Sequence, residues 1–229
     1  MSDIIEEQKA YYQARANEYD EWWYSQGRYN RGEKLNQQWE HEGQIVRDAL
    51  LALPQEYHIL ELASGTGIWT QELLKIAQHI TCVDASSEMI NINKAKLQSD
   101  KIDYIQADLF QWQTKQQFDM IFFGFWLSHV PQNEYKAFLQ RVSNMLKPSG
   151  HLFIVDSLRN KMATAHNQNM LEERSIHKRI LNDGREFQIY KVFYEANALQ
   201  SDLAGVNIIA DVHTTEQFFI YANGKKDTI

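Results

Sequence analysis

The chain has 229 residues, 44% of them hydrophobic, a net charge of -7 and a single cysteine, which is enough to build one full core without disulfides or a cysteine-rich metal site. No apolar run approaches the ~20 residues that cross a bilayer, and the start MSDIIEEQKA lacks the apolar stretch of a signal peptide. Lys and Arg form no block that would grip a phosphate backbone, so a cytoplasmic protein is expected, with no membrane and no nucleic acid as partner.

Residues 4–24 and 33–53 read as helices rich in aromatic side chains, and Pro54 closes the second. A strand follows at 57–62, then a helix over 68–78, then HITCVD as a second strand ending in Asp84. Ser86 or Ser87 caps the next helix, with Glu88 in its first turn, where an acid suits the helix dipole. IDYIQAD, FDMIFFGF and HLFIVD supply strands three to five, the last entered from the turn LKPSG. Continuous apolar runs alternating with helices belong to a parallel sheet covered on both faces, so the expected fold is α/β and doubly wound.

After the fifth strand the alternation lapses. RNKMATAHNQNMLEERS reads as an inserted helix, and two runs around NDG read as a β-hairpin, because Asn, Asp and Gly accept the positive φ of a tight turn. Together they make an insertion at about 160–191. A helix over 196–203 precedes VNIIADVHTT and QFFIYANG, close enough in sequence to pair antiparallel. Added to the first five strands, these two complete a mostly parallel seven-stranded sheet with an antiparallel edge strand.

ILELASGTG, from Ile59 to Gly67, joins a strand to a helix through a loop of small residues, where glycines let backbone N–H groups approach a ligand. The dinucleotide pattern G-x-G-x-x-G is met at Gly65 and Gly67 but not at Thr70, where close helix packing wants a third glycine. A second reading takes in the acid Glu61, small Ala63 and Ser64, the Gly65-Thr66-Gly67 turn, and the acid Asp84 ending the next strand. That series resembles the first motifs of class I (Rossmann-like) S-adenosylmethionine-dependent methyltransferases. VDAS, QADLFQW, FDMIFFGFWLSHVP and LKPSGHLFIVD continue the likeness in order through residues 57–156, and YYQARANEYDEWW is similar to the amino-terminal helix of many small-molecule members.

The resemblance implies S-adenosylmethionine (SAM) as cofactor, with S-adenosylhomocysteine (SAH) as product. It makes residues 1–53 a helical lid segment and residues 54–229 the SAM-binding domain. Glu61, Ala63, Ser64, Gly65 and Gly67 then form the loop beside the donor, Glu61 holding either the loop or the donor's ammonium group. Asp84, followed by Ala85, takes the ribose diol, a task suited to a carboxylate that accepts two hydrogen bonds. Asp108 accepts from the adenine amino group, Leu109 offers its backbone N–H to the ring, and Met89 packs on the adenine face. Gly124 ends the fourth strand, whose exit faces the methyl donor. Tyr12, Arg15 and Tyr19 close over the methionine part, with Arg15 suited to its carboxylate.

His129 is the one histidine the motifs place at the donor's mouth, either as a general base or as a structural hydrogen-bonding group. Trp22, Trp23, Phe125 and Trp126 line an acceptor pocket or belong to the core. Plainer readings stand beside the others too: strand-end acids also start loops or cap helices, Met89 also fills core, and Arg15 and Glu18 are also solvated or locally paired on a polar helix face.

Absences narrow the acceptor. GFWLSHVP lacks the Asn or Asp, two prolines and aromatic ring that resembling enzymes use on exocyclic amines of bases or glutamine amides. Asp156-Ser157 stands where a metal-dependent catechol type has Asp-Asn, so no metal is expected, and Cys82 alone cannot serve arsenic methylation. The expected function is methyl transfer to an oxygen or nitrogen of a small organic molecule by in-line displacement. A nicotinamide-dependent oxidoreductase and a catalytically inactive SAM-binding sensor or partner subunit stand as alternatives, and a homodimer is left open.

Overall fold

The computed structural model describes residues 2–165 and 175–228. Most of the inserted helix expected over 159–175 therefore lies outside the described residues; within them, Lys161–Ala163 is a single 3-10 turn.

Three helices open the chain: α1 (Ser2–Arg15), α2 (Tyr19–Trp23) and α3 (Glu33–Leu51). The single helix expected over 4–24 is broken after Arg15 by a 3-10 turn, Ala16–Glu18. The turn changes the direction of the chain between α1, which packs on Leu181 and Ile189, and α2, which carries Trp22 and Trp23. The redirected chain buries the two rings around Trp39, at centroid distances of 5.3 and 5.9 Å.

The strands are β1 (Glu56–Leu62), β2 (Ala77–Asp84), β3 (Ile102–Gln106), β4 (Phe118–Gly124), β5 (Leu146–Ser157), β6 (Ile176–Ile180), β7 (Glu186–Tyr190), β8 (Ile208–Thr214) and β9 (Phe219–Lys226). Seven form one sheet in the order β3-β2-β1-β4-β5-β9-β8. β1 to β5 run parallel, and β9 pairs antiparallel with both β5 and β8. The antiparallel strand is thus slotted one place in from the edge. Strand order reverses between β1 and β4, and a crevice for ligands opens at such a switch point.

Two local expectations are corrected. The helix expected over 68–78 is one turn, α4 (Thr70–Leu73), because β2 already pairs from Ala77, opposite Glu56. The expected turn LKPSG belongs to β5, whose register against β4 slips between Phe118 and Met120, with Ser149 at φ +59° in the extra length. The remaining helices are α5 (Ser87–Leu97), α6 (Gln132–Met145) and α7 (Ala196–Ala204). Ser86 caps α5, its hydroxyl accepting from the Met89 N–H at 3.2 Å.

Alternate residues of a strand face opposite sides, so β4 feeds two cores at once. Phe122 packs with Trp39, Ile59 and Phe219 on one face of the sheet, and Phe123 with Leu60, Val83 and Phe138 on the other. The β6-β7 hairpin stands apart from the sheet and packs on α1 through Tyr11, Leu181 and Ile189. Backbone N–H groups of β7 are taken up by α1 side chains: Gln188 donates to Glu7 Oε1 at 2.6 Å and Tyr190 to Gln8 Oε1 at 3.1 Å. The hairpin and α1 therefore hold each other over the carboxyl ends of the strands.

Candidate active site

The loop after β1 is shaped by positive φ at Ala63 (+55°), Gly65 (+54°) and Gly67 (+87°). It is pinned to the end of β2, where Asp84 Oδ2 accepts from the Gly65 N–H at 2.8 Å and Oδ1 from the Ser86 N–H at 2.9 Å. Burial raises the Asp84 carboxyl above its ordinary value, and those N–H donors oppose the rise. A Cβ on Gly67 would stand 2.7 Å from Asn93 Oδ1. Asn93 also donates to Thr70 Oγ1 at 3.0 Å and accepts from the Tyr104 hydroxyl at 2.8 Å. Thr70 thus supplies a hydroxyl that a third glycine could not, which explains the departure from the dinucleotide pattern.

A strand-end cleft opens beside this loop, with Asp84, Ala85, Ser86 and Met89 along one side and Asp108, Leu109 and Phe110 along another. Asp108 Oδ1 accepts from the Phe110 N–H at 2.9 Å, and its Oδ2 meets Lys9 Nζ of α1 at 2.7 Å. A recess behind the loop is lined by Glu61, Ser64, Trp69 and Gly124 among others. Glu61 is buried beside Cys82, whose Sγ lies 3.4 Å from Oε2. Burial pushes its carboxyl up to about 8, against hydrogen bonds from Thr70 and Cys82. The Trp69 indole N–H, on the same recess, has no hydrogen-bond partner among the described residues.

A third space, the inner cavity, lies between α1, the hairpin and the segment after β5. Tyr11, Arg15, Tyr29, Arg179 and Lys191 line it. Cleft and cavity share one wall, made of Tyr12, Tyr19, Phe125 and His129. Phe125 holds φ +56° there, its N–H donating to the Val155 carbonyl at 2.7 Å, which turns the chain at the end of β4. His129 is buried, and burial pushes its ring well below the ordinary histidine range.

The structure gathers Tyr12, Tyr19, Ala63, Gly65, Asp84 and Ala85 on the cleft, together with Met89, Asp108, Leu109, Gly124, Phe125 and His129. Glu61, Ser64, Trp22 and Trp23 meet at the recess instead. Trp126 stands on the cleft against Phe110 rather than in the inner cavity, whereas Trp22 reaches that cavity. Arg15 faces the inner cavity, and Gly67 lines none of the three spaces.

A family model for a methyltransferase domain matches residues 59–150. Among solved structures, the DhpI-SAH complex is 30% identical with 100% of both chains covered and a TM-score of 0.81. The DhpI-SAM-HEP complex is 32% identical over 96% of this chain and 97% of that one, with a TM-score of 0.80. The chain belongs to the class I SAM-dependent methyltransferases. A malonyl-[acyl-carrier protein] O-methyltransferase of Priestia megaterium is 34% identical over 100 residues, 43% of this methyltransferase and 36% of that protein. The chain spans less than half the length of the curated relatives it matches.

SAM is the cofactor of this methyltransferase, and the residues of cleft and recess fit it. Two carboxylates flank the cleft, and the unpartnered Trp69 N–H marks a polar need in the recess. A Cβ at Gly124 would stand 3.2 Å from Trp69 and Val155 side chains, so bare backbone keeps the floor clear. Lys9 on the cleft and Tyr11, Tyr29, Arg179 and Lys191 on the inner cavity were not singled out by the sequence. The i, i+4 spacing of Tyr11 and Arg15 was a signal that both share a helix face; the two cations of the insertion carried none.

Proposed function

We propose that this methyltransferase moves the donor's methyl group to an oxygen or nitrogen of a small molecule seated in the inner cavity, by in-line displacement. The observation that carries this reading is the common wall of cleft and cavity at Tyr12, Tyr19, Phe125 and His129. Two binding spaces that touch at the exit of β4 allow a nucleophile to face a methyl carbon.

On this reading Asp84 holds the ribose hydroxyls through lone pairs that Gly65 and Ser86 leave free, with Ala85 beside it. Asp108 and the Leu109 N–H read the adenine edge, and Met89 packs on its face. Glu61, Ala63, Ser64, Gly65 and Gly124 surround the amino-acid end, Tyr19 covers it, and Gly67 shapes the loop. SAM supplies an electrophilic methyl carbon on a sulfonium; the chain's own task is alignment and exclusion of water. Phe125 and Trp22 present apolar surface to the acceptor.

Tyr12 and His129 move the proton of an acceptor that must lose one. The Tyr12 oxygen accepts from the nucleophile's O–H or N–H while its own hydrogen passes to His129 Nε2, 2.7 Å away. An inactive sensor would be expected to have its acceptor space closed, whereas here the inner cavity adjoins the cleft.

The test is calorimetry with SAH followed by incubation of methyl-labelled SAM with a panel of small hydroxyl, carboxyl, phosphoryl and amine compounds. SAH binding with label transferred to one class is the expected result. SAH binding without transfer across the panel would turn the assignment toward a sensor, and absence of SAH binding would remove the donor site.

A further inference from the structure

The inner cavity has an unusual charge. Among the described residues Arg15, Arg179 and Lys191 line it and no Asp or Glu does. The chain as a whole carries -7, so the positive lining is local. Lys191 Nζ has a carboxylate partner, Asp156 Oδ1 at 3.0 Å, and also donates to Ser128 Oγ at 2.6 Å, which leaves one ammonium N–H for something else. Neither Arg15 nor Arg179 has a carboxylate partner among the described residues.

Arg15 is only 8% exposed. Tyr11, Tyr19 and Tyr29 stand with their rings 5.6, 4.8 and 5.6 Å from its guanidinium carbon. Rings on its faces steady the cation but use none of its edge N–H groups. Of those, Nη2 donates to the Tyr29 hydroxyl at 3.1 Å, and Nε has no partner. The Tyr11 hydroxyl, on a residue 1% exposed, is likewise unpartnered and belongs to the same cavity. Arg179 reaches the cavity from β6, its Nη1 spending one hydrogen bond on the Lys178 carbonyl at 3.0 Å. A buried guanidinium without counter-charge, as at Arg15 beside the half-buried Arg179, and a buried hydroxyl without a partner are costly, and such a set persists where a ligand completes it.

We propose that the inner cavity is an oxyanion site, in which Arg15, Arg179, Lys191 and the Tyr11 hydroxyl hold a phosphoryl or carboxylate group of the methyl acceptor. This rests on the methyl-transfer reading and narrows it to one substrate class. The open guanidinium edge of Arg15 matches the paired oxygens of either group. Arg15 is thereby assigned to the acceptor instead of the donor's carboxylate, in keeping with its place on the inner cavity rather than the cleft. A cationic or neutral acceptor would leave Arg15 and Arg179 uncompensated, so the cavity selects by charge before it selects by shape.

The test uses the full chain loaded with SAH. Inorganic phosphate, acetate, glycerol and ethylammonium are titrated into it, with binding read by calorimetry and by thermal melting. Phosphate or acetate is expected to bind and raise the melting temperature while glycerol and ethylammonium do nothing, phosphate alone indicating a phosphoryl acceptor and acetate alone a carboxylate. Arg179→Met is expected to weaken the oxyanion by about tenfold to a hundredfold, the effect of deleting one charged hydrogen-bond donor, with SAH affinity unchanged. Arg15→Lys, which keeps the charge but loses the fork, should weaken it in the same direction. Binding of SAH with no response to either oxyanion, or equal oxyanion affinity in Arg179→Met, overturns the oxyanion site alone. Failure of the wild-type chain to bind SAH overturns the methyl-transfer reading and this inference with it.

Discussion

The Tyr12 hydroxyl lies 2.7 Å from Nε2 of His129, and Nδ1 of the same ring lies 2.6 Å from the Tyr190 carbonyl oxygen. A carbonyl only accepts, so Nδ1 carries the ring proton and Nε2 takes the Tyr12 O–H. α1 supplies the hydroxyl, β7 the carbonyl, and the 3-10 turn Leu127–His129 after β4 the ring. Three segments far apart in the sequence thus fix one neutral imidazole, whose unprotonated nitrogen is taken up by a tyrosine hydroxyl.

A pH profile follows from that arrangement. Burial, reinforced by the Lys191 charge, holds the His129 ring well below its ordinary 6.5. Its folded-state pKa being depressed, His129 favours the folded state fully above pH 6.5, and that contribution is lost as the pH falls toward the depressed value. The kcat of an acceptor that loses a proton is therefore expected to stay level from pH 8 through 6.5 and fall only below, whereas a limb centred at 6.5 would contradict the buried neutral ring. Tyr12→Phe should lower that kcat by roughly 10²-fold with SAH affinity kept. Unchanged turnover in this variant would take the tyrosine out of the proton path.

Asp84 holds the loop, and on the proposed reading it holds the donor as well. Its carboxylate ties down Gly65 and Ser86, so Asp84→Ala would loosen the loop as well as remove the ribose partner. Asp84→Asn keeps one acceptor oxygen and separates these effects. We expect SAH affinity to fall by about a hundredfold, in line with the loss of charge-assisted hydrogen bonds at ~1.5–3 kcal/mol each, and a circular dichroism spectrum like wild type. Calorimetry showing native affinity would exclude this carboxylate as the ribose partner.

What the sequence disclosed follows from what is local. Runs such as HITCVD and FDMIFFGF carry their strand character and their burial in consecutive residues, so the parallel half of the sheet was readable. That Asp84 ends a strand was readable too, but its tie to the Gly65 N–H was not, because the two lie on different strand-end loops brought together by the parallel pairing of β1 and β2. Arg15 was not: its polar neighbours suggest a solvated helix face, and only the packing of the hairpin on α1 buries it among Tyr11, Tyr19 and Tyr29. The break at Ala16–Glu18 was hidden for a related reason, since Trp22 and Trp23 turn toward Trp39 on another helix. Arg179 and Lys191 come to the site through tertiary contacts of an insertion whose residues follow no period.

Glu61 predicts a proton count. Burial raises its carboxyl to about 8, so near pH 7 it is mostly a neutral acid in the free protein. Because the folded value is raised above the ordinary 4.5, this group's contribution to stability is complete below pH 4.5 and lost as the pH rises through 8. A donor ammonium placed beside it would favour the carboxylate and drive the proton off. SAH binding at pH 7 is expected to release roughly one proton, measured as the dependence of the calorimetric enthalpy on buffer ionisation, and Glu61→Gln should abolish the release. If the wild type releases none, the ammonium is not held by Glu61 and the residue's part is to hold the loop.

Two glycines with nearly the same backbone angle separate strain from crowding. Gly67 has φ +87° and Gly184 has φ +88°, so alanine at either meets the left-handed penalty of ~1–2 kcal/mol. At Gly184, in the hairpin turn, a Cβ meets nothing within 4 Å, and the cost should stop there, a fall in melting temperature of about 2–8 °C. At Gly67 the Cβ would stand 2.7 Å from Asn93 Oδ1. Asn93 cannot swing away freely, because its side chain also holds Thr70 and Tyr104. Gly67→Ala should therefore lower the melting temperature by clearly more than Gly184→Ala, and it should also weaken SAH by pushing the loop out of the place Asp84 holds it in. Equal melting shifts for the two variants would mean that Asn93 yields without cost, and the loop would then owe its shape to the Asp84 hydrogen bonds alone.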